Sequence, residues 1–317
     1  MAGPSPMLEY AFFEGNIVPF ADAKISVGTH AVQYGTGAFA GIRGYLDQDS
    51  ETINIFRLPE HSARLLNSAK LLRANLPFDR ESLAQTITDL VEKNAPTGDV
   101  YIRPFVYKSS VQLVPRLTDL DDQLAIYMLK LGDYLDTSTG IKAAVSSWHR
   151  LPDNALPGRG KISGGYINSA LAKDEAVEKG ADEAILLDQQ GHVAEGSGSN
   201  LFLVRDGTLV TAPITGDILE GITRRTILQF AKDEGIPVQE RDIDRSELYI
   251  VDEAFFCGTG VQISPIANID GRPIGNGKPG PLTMHIREIF FDTVRGRNPK
   301  YGHFLTKVRS KVASPAD

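Results

Sequence analysis

Lys161 stands in PGRGKISGGY (157–166), among glycines and small side chains just ahead of a helical stretch. A lysine so placed can act as an amine nucleophile if it sheds its proton near neutral pH, which desolvation or neighbouring cations favour. On local grounds alone the commoner reading is a solvated loop lysine, much as Lys70, Lys173, Lys179 and Lys232 are solvated on their helical faces. Four other residues widen the possibilities: Arg64, Glu195, Thr223 and Thr259. Glu195 opens EGSGSN (195–200), and a carboxylate there could keep a ring nitrogen protonated. Gly221-Ile222-Thr223 opens a helix, whose free N–H groups suit a phosphate. CGTG (257–260) follows an apolar strand and can turn backbone N–H groups toward an anion. An amine for an aldehyde, an acid for a ring nitrogen and an anion site are the three requirements of pyridoxal phosphate. Singly, each has a commoner reading as a hairpin acid, a helix cap or a turn.

The elements that must position these residues alternate irregularly. Residues 8–20 read as a hairpin about Glu14-Gly15-Asn16. Helices are predicted over 59–74, with Pro59 in the first turn, and over 79–95, opening at Asp79. Strands follow at 101–109 and 124–132. The polar stretch 131–140 reads as an inter-domain loop, after which IKAAVSSW (141–148) is a strand. A helix from Tyr166 to Glu178 should stop at Gly180, and one from Gly221 to about Glu234 at Gly235. Two hairpins lie between them, AILLD with HVAE and the run NLFLVRDGTLVTA, and an amphipathic helix covers 282–294. This order predicts an α+β fold in two domains, 1–130 (small) and 141–317 (large, with most of the cofactor site).

Several function classes are disfavoured. YGTGAFAGIRGY (34–45) is rich in glycine but runs on into the strand-like IRGYL, so it does not read as a dinucleotide fingerprint, which opens a helix. The net charge of −7 argues against a general nucleic-acid partner. No apolar run approaches the ~20 residues that span a bilayer. The N-terminal residues do not resemble a secretion signal, and the single cysteine, Cys257, excludes an internal disulfide. A cytoplasmic enzyme without a metal is the expectation.

Taken in order, GKISGGY (160–166), EGSGSNLF (195–202), LEGITR (219–224) and CGTGVQISP (257–265) resemble the branched-chain amino acid aminotransferases, pyridoxal-phosphate enzymes of fold type IV. HAVQYGTGAFAGIRGY (30–45), FRLPEHSARLLNSAK (56–70) and YIRP (101–104) fit the same family, so the likeness runs from about residue 8 to 295. It implies a fold like that of D-amino acid aminotransferase, with the active site between the domains. Lys161 would form the Schiff base and shuttle the proton. Glu195 would pair with the pyridine nitrogen and Tyr166 with the cofactor's phenolic oxygen. Arg64, Ile222, Thr223 and Thr259 would hold the phosphate. Tyr101 and the N–H groups of Thr259 and Gly260 would take the substrate α-carboxylate. Tyr34, Phe39 and Tyr166 would wall an apolar pocket, Tyr34 by way of a subunit interface. Arg43 and Arg103 would lie on the carboxylate side, where Arg103 would accept the second acid of glutamate.

The implied reaction is a reversible ping-pong transfer from L-leucine, L-isoleucine or L-valine to a 2-oxo acid such as 2-oxoglutarate, in a homodimer or larger homo-oligomer. A D-amino acid or (R)-amine transaminase of the same fold is the alternative; aminodeoxychorismate lyase and a non-catalytic binding protein are remoter. Ser199, Leu131 and Ser163 depart from residues commoner in the family, Glu, Trp and Gly, which bears on side-chain preference.

Overall fold

In a computed structural model of the protein, the described residues are 6–47, 49–132 and 139–310. Among them, contacts define two compact units. The first holds the chain up to Gly132, then Gly160–Gly164 and the chain from Asp292; the second holds residues 139–159 and then Gly165–Phe291. Of the expected inter-domain loop, residues 133–138 lie outside the described residues.

The first unit opens with a hairpin of β1 (Tyr10–Phe13) and β2 (Asn16–Pro19), turning on Glu14 and Gly15 at φ 48° and 82°. Positive φ at both central residues matches the right-handed twist of the flanking strands. A short helix α1 (His30–Tyr34) leads to β3 (Gly37–Phe39), β4 (Ile42–Asp47) and β5 (Thr52–Phe56). Helices α2 (Leu58–Leu71) and α3 (Arg80–Asn94) follow, α3 opening on a capping box of Asp79 and Ser82. Then come β6 (Val100–Lys108) and β7 (Asp122–Lys130). The sheet is antiparallel, ordered C-terminal strand (Leu305–Arg309), β5, β4, β6, β7, β1, β2, with β3 also on β6.

Strand β6 shows how this sheet presents chemistry. Side chains alternate between the two faces of a strand, so Val100, Ile102 and Pro104 are buried while Tyr101, Arg103 and Phe105 share the half-open face. Each fully buried Val or Ile contributes about 1.5–3 kcal/mol. Slipping the register by one residue would put Arg103 in the core.

The second unit contains β8 (Ile141–Val145), α4 (Tyr166–Glu178), β9 (Glu183–Leu187), β10 (Val193–Gly196), β11 (Asn200–Arg205), β12 (Thr208–Thr211) and α5 (Ile222–Asp233). It continues with β13 (Val238–Glu240), β14 (Glu253–Gly258), β15 (Gln262–Ile269), β16 (Arg272–Pro273) and most of α6 (Pro281–Val294). The sheet order is β10, β9, β8, β15, β14, β11, β12, β13, with β16 on β15. The β8–β9, β8–β15 and β12–β13 pairs are parallel. Ile185, Leu203, Phe256 and Ile266 lie in one buried apolar cluster at the centre.

Two long-range pairings depart from the single boundary expected at 131–140. Ala38 and Ile162 form an antiparallel bridge, which draws the Lys161 segment onto β3, and Leu305–Arg309 pairs with β5 from Leu305↔Phe56 to Arg309↔Thr52. Gly160–Gly164 and the C-terminal strand therefore belong with the first sheet.

Candidate active site

In the first unit the backbone of Lys161 is fixed on both sides. Its N–H donates to Ser68 Oγ at 3.1 Å, and its carbonyl accepts from Phe39 N–H at 3.0 Å. Gly164 N–H donates to Gly35 O at 3.1 Å, and a Cβ on Gly35 would come within 2.8 Å of Gly164 Cα, so a residue without a side chain is needed at this crossing. Ser68 lies on α2, one turn after Arg64, whose carbonyl it also engages at 2.9 Å. His61, three residues before Arg64, is buried on the same helix. Burial first, and then the cations of Arg64, Lys161 and Arg57, hold its imidazole well below the ordinary range, so it stays neutral.

Phe39 is the hub of a second cluster. Lys161 Nζ lies 5.1 Å from its ring centre and Arg103 Cζ 4.3 Å, so two cations share one aromatic ring. Arg103 Nη2 donates to Tyr101 Oη at 3.2 Å. Gly41 makes room for that phenol, since a Cβ there would stand 1.9 Å from the oxygen. Arg43 pairs with Tyr101 across β4 and β6; it is buried and donates to Gly132 O at 2.8 Å. Tyr34 ends α1 half exposed, with its ring 4.7 Å from that of His30. Thus the structure groups Lys161, Arg64, Phe39, Tyr101 and Arg103, and leaves Tyr34 at the surface.

In the second unit Glu195 is buried on β10, where a register shift between Val193 and Glu195 marks a bulge. Bulges re-aim a side chain, and Glu195 meets three donors. Arg150 Nη2 lies 2.9 Å from Oε1, while Asn200 Nδ2 and Leu219 N–H lie 2.9 Å and 3.2 Å from Oε2. Asn200 Nδ2 also reaches Leu219 O at 2.9 Å, and a Cβ on Gly221 would collide with Asn200 Oδ1 at 2.0 Å. The glutamate is thereby tied to the start of α5. That helix opens on Gly221 with no side-chain cap, with Ile222 and buried Thr223 in its first turn. Thr259 and Gly260 sit in the β14–β15 turn, and Tyr166 opens α4.

Each unit by itself offers groups that suit the cofactor expected from the sequence. An uncapped helix start with its N–H groups is a phosphate site, and Arg64 belongs to a group of cations around a neutral imidazole whose Nδ1 has no hydrogen-bond partner among the described residues. A carboxylate oriented by three donors is suited to face a protonated ring nitrogen. Sequence reasoning missed Ser68, His61, Arg150 and Asn200; the spacing of His61, Arg64 and Ser68 on one helical face was the one available signal. Cys257 is buried in β14, which pushes its thiol up. Among the described residues there is no group of three His, Cys, Asp or Glu fit for a metal, and no helix long and apolar enough to cross a membrane.

Comparison with known proteins adds an independent line. A family model described as amino-transferase class IV matches residues 47–269. The chain is similar to a probable branched-chain-amino-acid aminotransferase of Aquifex aeolicus, 46% identical over 96% of this chain and 98% of the relative. Among solved structures it is similar to a branched-chain aminotransferase of Thermoproteus uzoniensis with norvaline, at TM-score 0.91 and 41% identity over 95% and 99% of the two chains. It is likewise similar to the branched-chain amino acid aminotransferase of Thermobaculum terrenum in its PLP-form, at TM-score 0.91 and 38% identity over 96% and 99%.

Proposed function

The chain belongs to the class IV aminotransferases and, within them, to the branched-chain amino acid aminotransferase family, and from that premise we propose that it uses pyridoxal phosphate to move the amino group of L-leucine, L-isoleucine or L-valine to 2-oxoglutarate. The observation that carries this reading is the cluster around Phe39. An apolar ring flanked by Lys161 and Arg103 offers one wall for an aliphatic side chain and one cation for the second acid of glutamate.

When bound, the cofactor supplies a ring that withdraws electrons and so acidifies the α-proton of the amino acid. Lys161 Nζ would hold the cofactor, then take that proton and return it at the cofactor's aldehyde carbon, on the far side of the amino nitrogen. Glu195 would keep the ring nitrogen protonated, and Tyr166 would donate to the phenolic oxygen. Arg64, Ile222, Thr223 and Thr259 would hold the phosphate. Tyr101, Thr259 and Gly260 would orient the α-carboxylate, with Arg43 on the same side.

We also propose a homodimer. Val27 and Leu113 are 83% and 74% exposed, and His30 binds their two segments together, its ring nitrogens lying 2.7 Å from Thr36 Oγ1 and 2.7 Å from Val114 O. Tyr34 lies beside this apolar surface, where a second copy would bring it into use.

Initial rates with 2-oxoglutarate and L-leucine, L-valine, D-alanine or (R)-1-phenylethylamine test the substrate class. Turnover of the L-branched substrates should dominate; faster turnover of D-alanine or the (R)-amine overturns this reading in favour of the D-amino acid or (R)-amine type. Lys161→Ala should lose the visible cofactor band on dialysis, and a variant that keeps both band and turnover overturns the role of Lys161.

A further inference from the structure

Glu195 would act on the ring nitrogen only if its charge and direction are fixed, and Arg150 is built to fix both. Its backbone N–H donates to Leu187 O at 2.8 Å at the end of β9, and its carbonyl accepts from Gln189 Nε2 at 2.9 Å. Its side chain is held at Nε, 3.4 Å from Asp217 O, and reaches Glu195 Oε1 at 2.9 Å with Nη2. Both side chains are largely buried, 15% and 7% exposed, so the pair is only weakly screened. Asn200 and Leu219 occupy Oε2. Two neutral donors on one oxygen and a cation on the other fix the carboxylate plane. Two other ionisable groups near this corner are Cys257 of β14, whose thiol burial keeps protonated, and Arg224 of α5, which is engaged by Glu240 at 2.6 Å and Ala212 O at 2.8 Å. Arg150 pairs with Glu195 directly, as a cation at 2.9 Å.

We propose that Arg150 is a positioning residue for the transamination, one that through its ion pair with Glu195 sets how firmly the cofactor's ring nitrogen keeps its proton. The assignment rests on the functional reading above. Without the guanidinium the glutamate would be the better base and would leave a bound ring with less positive charge. Such a ring would withdraw fewer electrons, so that Lys161 Nζ, in holding the cofactor, would keep its proton to higher pH.

The test uses holoenzyme of the wild type, Arg150→Gln and Arg150→Lys, each titrated with base while the visible cofactor band is followed. In Arg150→Gln the midpoint should rise by roughly 1 unit, and Arg150→Lys should restore most of the wild-type value. Thermal melts of the apoproteins identify any variant that fails to fold, and Arg150→Lys then carries the comparison as the smaller change, its midpoint expected slightly above wild type. An unmoved midpoint in a folded Arg150→Gln, or equal shifts in both variants, overturns the assignment. A wild type with no visible band at any cofactor concentration overturns the functional reading itself, which is a distinguishable failure.

Discussion

Ser68 accepts the backbone N–H of Lys161 at 3.1 Å, although 93 positions separate them. The same hydroxyl donates to Arg64 O at 2.9 Å, so one small side chain ties the lysine segment to the helical turn that carries Arg64. Ser68→Ala removes the acceptor of a part-buried N–H, at a cost of about 1 kcal/mol. The melting temperature should fall by roughly 2–4 °C per kcal/mol, and turnover should fall with little change in KM. Unchanged melting and unchanged kcat would show that the contact is dispensable.

Arg103 divides the two halves of the reaction. Arg103→Met keeps an unbranched side chain beside Phe39 but removes the cation that lies over its ring. kcat/KM for 2-oxoglutarate should drop by about 10–100-fold, the range of a hydrogen bond to a charged group. The half-reaction with L-leucine, followed by loss of the visible cofactor band in single turnover, should change by less than about threefold. Equal losses in both halves would assign Arg103 to the α-carboxylate instead.

His61 gives stability a definite pH dependence. Its imidazole is held neutral in the fold, well below its ordinary value. The unfolded chain takes up a proton near pH 6.5 and the folded chain does not, so stability is complete above about pH 6.5 and falls as pH decreases below it. The slope contributed is up to about 1.4 kcal/mol per pH unit. Urea unfolding of the wild type and His61→Gln across this range is the measurement, and the variant should show the shallower acid limb. Parallel limbs would assign the acid sensitivity to other groups.

Lys108 and Asp122 form a buried ion pair at 2.9 Å, 2% and 5% exposed, where β6 ends and β7 begins. Lys108 Nζ also reaches Arg73 O at 3.1 Å, and Asn75 N–H donates to Asp122 at 2.9 Å, which anchors the chain leaving α2. Asp122→Ala strands a buried charge and should cost about 3–5 kcal/mol. The double change Lys108→Met with Asp122→Leu should cost much less, and chemical denaturation of the three proteins compares them. A double variant as unstable as the single one would show that packing, not charge, holds this corner.

What the sequence made legible follows from local physics. Asp79, Gly180 and Gly235 mark helix ends by capping, and β6 announces itself by alternation. Residue types and order also singled out Lys161, Arg64, Glu195 and Thr223. Arg150 was invisible because nothing within a few residues distinguishes it, and Asn200 stood in EGSGSN with no sign of which residue it would bind. Their meaning arises when a bulge on β10 turns Glu195 toward them, 45 and 5 positions away. The three-residue strand β3 is too short to leave a period, and its partnership with Ile162 is a tertiary fact.

The antiparallel pairing of Leu305–Arg309 with β5 also has a temporal side. During synthesis β1 to β7 emerge before Leu305–Arg309, and their sheet lacks this edge strand until the whole second unit has been made. Until then β5 presents an unpaired row of N–H and C=O groups, the kind of edge that invites association with other chains. The nascent protein should therefore depend most on chaperones, and be most prone to aggregate, in the interval before its C-terminal strand is made.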